Sequence, residues 1–217
     1  MIQVHTLAHQ NSVFSSFLAE IRDAHIQKDP LRFRSNLERI GEVLAYELSK
    51  HLEYTEKEIE TPLGMANCKV LKSQPVIATI LRAGLPLHTG VLNYFDRAEN
   101  AFISAYRQHH ADDTFDIQLE YLASPSIEGK DLVICDPMLA TGRSMVAAYK
   151  AMLKRGVPCH IHVVSVIGSA EGVEYVRRFM PDNTTIWIGD VDEELTAQAY
   201  IVPGLGDAGD LAFGEKI

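Results

Sequence analysis

From residue 75 onward, short apolar runs and helical stretches take turns along the chain, and that alternation limits the folds open to it. PVIATIL (75–81), NAFISAYR (100–107), KDLVICD (130–136), HIHVVSVIGS (160–169) and TTIWIGD (184–190) read as strands. LPLHTGVLNYF (85–95), SMVAAYKAMLKRG (144–156) and EGVEYVRRFMP (171–181) read as helices between them. Strands that are apolar throughout, rather than alternating, belong in a sheet covered on both faces. The pattern therefore predicts an α/β fold, a central mainly parallel sheet flanked by helices. FDIQLEYLASP (115–125) does not fit a parallel crossover and is expected to form an antiparallel flap.

Upstream, residues 11–28 and 30–50 read as helices. In the second, Phe33, Leu37, Ile40, Leu44 and Leu48 recur at steps of three and four, with Asp29 as cap and Pro30 in the first turn. KEIETPLGMANCKVL (57–71) reads as strand, turn, strand about Pro62 and Gly64. Gly156 is expected to close its helix with a left-handed cap. With 217 residues the chain suits one domain (1–217): helices over 11–50, a core over about 65–190, and an irregular Gly-rich tail over about 198–217.

Composition removes several classes. A net charge of −9 argues against binding nucleic acid through overall charge. No apolar stretch approaches the ~20 residues of a membrane span, and the amino terminus lacks the marks of a signal peptide. Cys68, Cys135 and Cys159 show no C-x-x-C spacing, which fits reduced thiols in the cytoplasm. His109-His110 and His160-x-His162 lack a matching ligand set at zinc spacing. Asp190, Asp192, Glu193 and Glu194 read as a solvated acidic face.

In a parallel sheet, ligands sit beyond the carboxyl ends of the strands. There the sequence places Arg82-Ala-Gly, Tyr106-Arg107, Asp136 to Ser144 and Gly168-Ser-Ala. The segment Asp136-Pro137-Met138-Leu139-Ala140-Thr141-Gly142-Arg143-Ser144 opens a helix without a Walker lysine. Backbone N–H groups of Ala140 to Ser144, with the Thr141 and Ser144 hydroxyls, suit one phosphate at a helix amino terminus. Asp136 beside them suits sugar hydroxyls. Arg82 and Arg107 suit a second anionic group, so the ligand implied is a sugar phosphorylated at two ends. YIVPGLGDAGDL (200–211) has too many glycines for regular helix or strand, yet it carries Tyr200, Ile201, Val202 and Leu205. It reads as a loop whose backbone can approach a flat ligand.

The stretches DPMLATGRS (136–144) and YIVPGLGDAGD (200–210), with ETPLG (60–64), ILRAG (80–84) and GEVLAY (41–46), closely resemble the uracil phosphoribosyltransferase family. The resemblance implies a type I phosphoribosyltransferase-like fold and a salvage enzyme. It would transfer a phosphoribosyl group from phosphoribosyl pyrophosphate (PRPP) to N1 of uracil, releasing UMP and diphosphate. Carried over, Arg82, Asp136 and Asp207 are catalytic, and PRPP is held by Arg82, Arg107, residues 136–144 and Asp207. Uracil is read by Ile201, Gly206, Asp207 and Ala208. Mg²⁺ is expected to ride on the diphosphate without a dedicated protein site, and a homodimer or homotetramer and a GTP effector are further implications. The open alternatives are another base on the same fold, and a non-catalytic sensor of PRPP or UMP. Two positions depart from the family pattern: Arg143 replaces a small residue, and Leu211 stands where G-D-R is usual. Arg143 either points outward or adds charge to the phosphate pocket; alternatively, both departures record relaxed constraint.

Overall fold

The computed structural model describes residues 1–109 and 115–216, apart from the side chains of 105–109 and 115–119. In chain order the elements begin with β1 (Gln3–Thr6), α1 (Val13–Arg22), α2 (Pro30–Ser49), β2 (Tyr54–Thr61), β3 (Gly64–Leu71), β4 (Val76–Leu81) and α3 (Gly84–Tyr94). The middle of the chain forms β5 (Glu99–His109), β6 (Phe115–Ala123), β7 (Asp131–Cys135), β8 (Met138–Leu139) and α4 (Arg143–Met152). It closes with β9 (His160–Ser169), α5 (Ala170–Phe179), β10 (Thr184–Asp192), β11 (Glu194–Leu195), β12 (Ile201–Val202) and α6 (Ala208–Phe213).

The main sheet runs β1-β10-β9-β7-β4-β5-β6, with β8 added beside β9. Its pairings are parallel except for β6, which turns back against β5 as the expected antiparallel flap. Alternation along each strand sorts side chains between two apolar layers. Ile77, Val133, Val164 and Trp187 face the layer built on α1, α2 and α3. Val76, Leu132, Val163 and Ile186 face the layer that takes in Met145, Val146, Val173 and Val176 from α4 and α5. Both faces being covered is why the strands read as unbroken apolar runs. No helix among the described residues is long and apolar enough to cross a membrane.

Five expectations need correction. The sheet includes β1, outside the anticipated core of 65–190; a four-residue edge strand gives little periodicity to read. The helix expected over 11–28 stops at Arg22, because the Asp23 carboxylate accepts from the N–H groups of His25 and Ile26 at 2.7 and 3.1 Å. That local turn competes with the helix, and only a 3₁₀ turn follows at Ile26–Lys28. β5 runs on to His109, so Arg107 lies within a strand, opposite Ile117, rather than after one. Gly156 has φ 124° and ψ −178°, a positive-φ stop but not a left-handed helical cap, and it follows a 3₁₀ turn. Finally, the tail does form a helix, α6, capped by the Asp207 carboxylate.

At the amino end of the sheet, His5, His51, His160 and His162 gather around Trp187. His5 stacks on the indole at 4.3 Å, and Trp187 Nε1 donates to His162 Nδ1 at 3.1 Å. That bond puts the His162 proton on Nε2, toward Asp131 Oδ1 at 3.9 Å. Burial, with His160 and His51 adding repulsion, lowers the His162 pKa to about 3. Burial lowers His5 and His160 as well. The unfolded chain takes up these protons near pH 6.5 while the folded chain refuses them. Stability is therefore full above about pH 6.5 and lost as pH falls toward 3. Between pH 7 and 5, His162 alone is expected to cost about 2 kcal/mol, or roughly 4–8 °C in Tm for a chain of this size. Thermal melts at the two pH values check this; equal melting temperatures would contradict it.

Candidate active site

A cavity of about 780 Å³ opens at the carboxyl ends of β4 and β7. Its walls include Arg82, Asp136, Met138, Ala140 and Ser144 from the sheet side and Gly206, Asp207 and Ala208 from the tail. The two stretches singled out in the sequence thus face one space.

Asp136 is delivered by β7, and its N–H donates to Val164 O at 3.1 Å, holding the strand exit against β9. The Pro137 carbonyl accepts from Val166 and Ile167 N–H at 3.1 and 3.0 Å. The loop therefore hugs the sheet while Leu139 sinks into the core at 1% exposure. Gly142, at φ 71°, caps α4, and Arg143 is its first, exposed residue. Thr141 Oγ1 lies 3.5 Å from the Arg143 N–H. The first-turn N–H groups of α4 lack intrahelical acceptors, and the helix dipole makes that end attractive to an anion.

The loop is braced from behind by α5. Ser169 Oγ donates to Ala140 O at 2.6 Å and accepts from Gly172 N–H at 2.9 Å, so one hydroxyl caps α5 and pins the loop. The predicted Gly168-Ser-Ala turn is thus a support: among the cavity's lining residues it does not appear.

Arg82 follows β4 directly, and the Leu81–Arg82 peptide is cis. Its guanidinium contacts Asp210 Oδ1 at 3.0 Å and Gly214 O at 3.3 and 3.2 Å. Asp207 caps α6, its Oδ1 accepting from Gly209 and Asp210 N–H at 2.8 and 3.1 Å. A good cap outweighs the glycine content that argued against helix here. Asp207 Oδ2 lies 3.7 Å from Lys216 Nζ. Ile201 is buried in the core at 4% exposure, and its strand β12 pairs with β11. The Arg107 side chain and the His109-His110 pair lie outside the described side chains.

Sequence reasoning missed several lining residues, among them Ser104, Ala199 and Lys216. Ser104 sits inside a strand, and Lys216 in a short polar end, so neither carried a local signal. Among the described residues, no group of three or more His, Cys, Asp or Glu side chains is placed to hold a metal ion.

A mainly parallel sheet flanked by helices, with a cavity at the carboxyl ends of its strands, is the fold of the type I phosphoribosyltransferases. The structure resembles adenine phosphoribosyl transferase from Trypanosoma brucei, solved with AMP, pyrophosphate and ribose-5-phosphate (TM-score 0.53, 12% identity, 88% of this chain and 84% of that one). At that identity the likeness concerns the fold alone. A much nearer structural match is the AQ2163 protein from Aquifex aeolicus, with TM-score 0.87, 30% identity and 98% of each chain covered. The family model for uracil phosphoribosyltransferase matches residues 8–215. A uracil phosphoribosyltransferase of Porphyromonas gingivalis is 56% identical over 216 residues, covering 100% of both chains. One from Thermococcus gammatolerans is 36% identical over 203 residues, 92% of this chain and 88% of that one. The chain belongs to the uracil phosphoribosyltransferase family.

Proposed function

We propose that this chain is a single phosphoribosyltransferase domain that forms UMP and diphosphate from uracil and PRPP. The observation that carries the reading is the shared cavity: Arg82, Asp136, Ala140 and Ser144 at the two ends of the loop, and Gly206–Ala208 meet around it. The 5′-phosphate takes the amino end of α4, and Asp136 accepts from ribose hydroxyls. Arg82 and Arg107 take the diphosphate, and the backbone at Gly206–Ala208, with Ile201 behind it, reads the uracil edge.

In the reaction the C1′–O bond to diphosphate breaks, a C1′–N1 bond forms, and uracil N1 loses its proton. Negative charge grows on the leaving diphosphate, and the Arg82 guanidinium, held at the cavity wall by Asp210 and Gly214 O, stabilises it with its positive charge and remaining N–H donors. Holding N1 against C1′ supplies the orientation contribution. The Asp136 and Asp207 carboxylates on the cavity wall are hard oxygen donors, which suit Mg²⁺ carried on diphosphate oxygens with water completing its shell. Bound there, Mg²⁺ would supply further charge neutralisation on the leaving group.

Leu63 and Met65, 100% and 62% exposed at the β2–β3 hairpin, offer apolar surface for a second copy, in keeping with a homo-oligomer. Arg143 lies at the helix end that receives the 5′-phosphate. Because backbone donors do the cradling, Arg143→Gly is expected to weaken PRPP binding only about threefold, the scale of one exposed charge. Unchanged PRPP affinity would show that Arg143 contributes no charge to the pocket. The function itself is tested by supplying PRPP, Mg²⁺ and a panel of bases. Turnover with uracil supports it, and turnover with hypoxanthine but not uracil overturns it.

A further inference from the structure

Of the acidic run read as a solvated face, Glu193 and Glu194 are exposed as expected, but Asp190 and Asp192 at the end of β10 are not. Asp192 is 8% exposed and is engaged by Arg22, from the last turn of α1. Arg22 Nη1 and Nη2 donate to Asp192 Oδ2 and Oδ1 at 2.8 and 2.9 Å, a two-pronged pair, and Nη2 reaches Asp190 Oδ2 at 3.0 Å. The same unit grips the tail. Arg22 Nη1 donates to Gly204 O at 3.1 Å, while Gly204 N–H donates to Asp192 Oδ2 at 3.1 Å. Both backbone groups of one tail residue are thus tied to a half-buried ion pair.

Gly204 stands two residues before Gly206, where the lining of the cavity by the tail's glycine-rich turn begins. Downstream, α6 is anchored separately: Arg34 Nη1 donates to Ala212 O at 2.7 Å, and Asp210 pairs with Arg82. The turn from Leu205 to Asp207 is therefore suspended between two fixed points, and the upstream one is Arg22. Forked hydrogen bonding at low exposure fixes position as well as attraction.

We propose that Arg22 is a positioning residue for the base: it sets uracil affinity by holding the Pro203–Gly204 turn, without touching uracil. This rests on the reading that Ile201 and Gly206–Ala208 hold the base. A displaced turn would misplace the backbone that reads uracil and leave the 5′-phosphate loop, on α4, as it is.

The test compares Arg22→Lys and Arg22→Gln with the unaltered protein in UMP formation, alongside direct PRPP binding by calorimetry. Misplacing the turn is expected to raise the uracil KM about tenfold or more, with PRPP Kd within about twofold. Lysine, which keeps charge but not the fork, is expected to restore only part of the loss. A lower Tm with unchanged uracil KM, or equal rises for both substrates, would overturn the proposal by showing a merely structural role. Should those variants fail to fold, Asp190→Asn removes only the more exposed arm; a rise of about twofold to fivefold in uracil KM supports the proposal and no rise contradicts it. Gly206→Val separates the two readings, since φ 92° at that position strains any residue with a Cβ. If it raises the uracil KM and the Arg22 variants do not, positioning alone fails. If it leaves the uracil KM unchanged, the base site itself has been misassigned, and the proposal falls with it.

Discussion

Arg82→Ala is expected to lower UMP formation by about 10²–10³-fold, chiefly through kcat. The side chain stands directly after β4 on the cavity wall, where its forked donors can follow charge onto the departing diphosphate. The diphosphate of bound PRPP is already anionic, and cleavage adds about one further negative charge that exists only from the transition state onward, so the part of the loss tied to that added charge falls on the chemical step. Arg82→Lys should recover part of the rate, because an ammonium supplies the charge without the planar fork. Steady-state rates at saturating PRPP check this. A change of less than about threefold in the alanine variant would remove Arg82 from the leaving-group site.

The second large effect comes from a residue outside the cavity. A Cβ at Gly172 would lie 2.3 Å from Ala140 O and 2.5 Å from Leu139 O, both backbone atoms of the phosphate loop. Neither can step aside as a flexible side chain could, so Gly172→Ala must push the loop away from α5. Ser169, which donates to Ala140 O at 2.6 Å, would lose its geometry at the same time. A shift of about 1 Å in a substrate-holding segment is enough to cost roughly 10²-fold in kcat/KM for PRPP. Alanine favours helix over glycine by about 1 kcal/mol, so intrinsic propensity opposes this loss and does not explain it. PRPP titration of the Gly172→Ala protein gives the answer, and wild-type affinity would mean that α5 does not set the loop position.

These two residues illustrate what a sequence exposes and what it hides. Arg82 and the 136–144 loop were legible because their side-chain types, placed after apolar strands, state a chemistry locally. VIATIL and DLVIC were legible because burial on both faces leaves no polar face to confuse the pattern. Gly172 was not, since its reason for being glycine is an approach by a carbonyl more than thirty residues upstream. The Arg22–Asp192 pair spans 170 residues, and no local signal tells a clamped acid from a solvated one. The tail failed for a different reason: one capping carboxylate, Asp207, decided the helix against the propensity of its glycines. Asp23 stopped α1 by the same kind of local competition.

A cavity that joins a phosphoribosyl site to a uracil site must carry out the transfer within it. The most direct measurement follows uracil, PRPP, UMP and diphosphate together over time, with Mg²⁺ present. UMP and diphosphate are expected to appear one for one as uracil disappears, with neither formed when either substrate is left out. PRPP binding without diphosphate release in the presence of uracil would contradict the claim and leave a sensor of the sugar in its place.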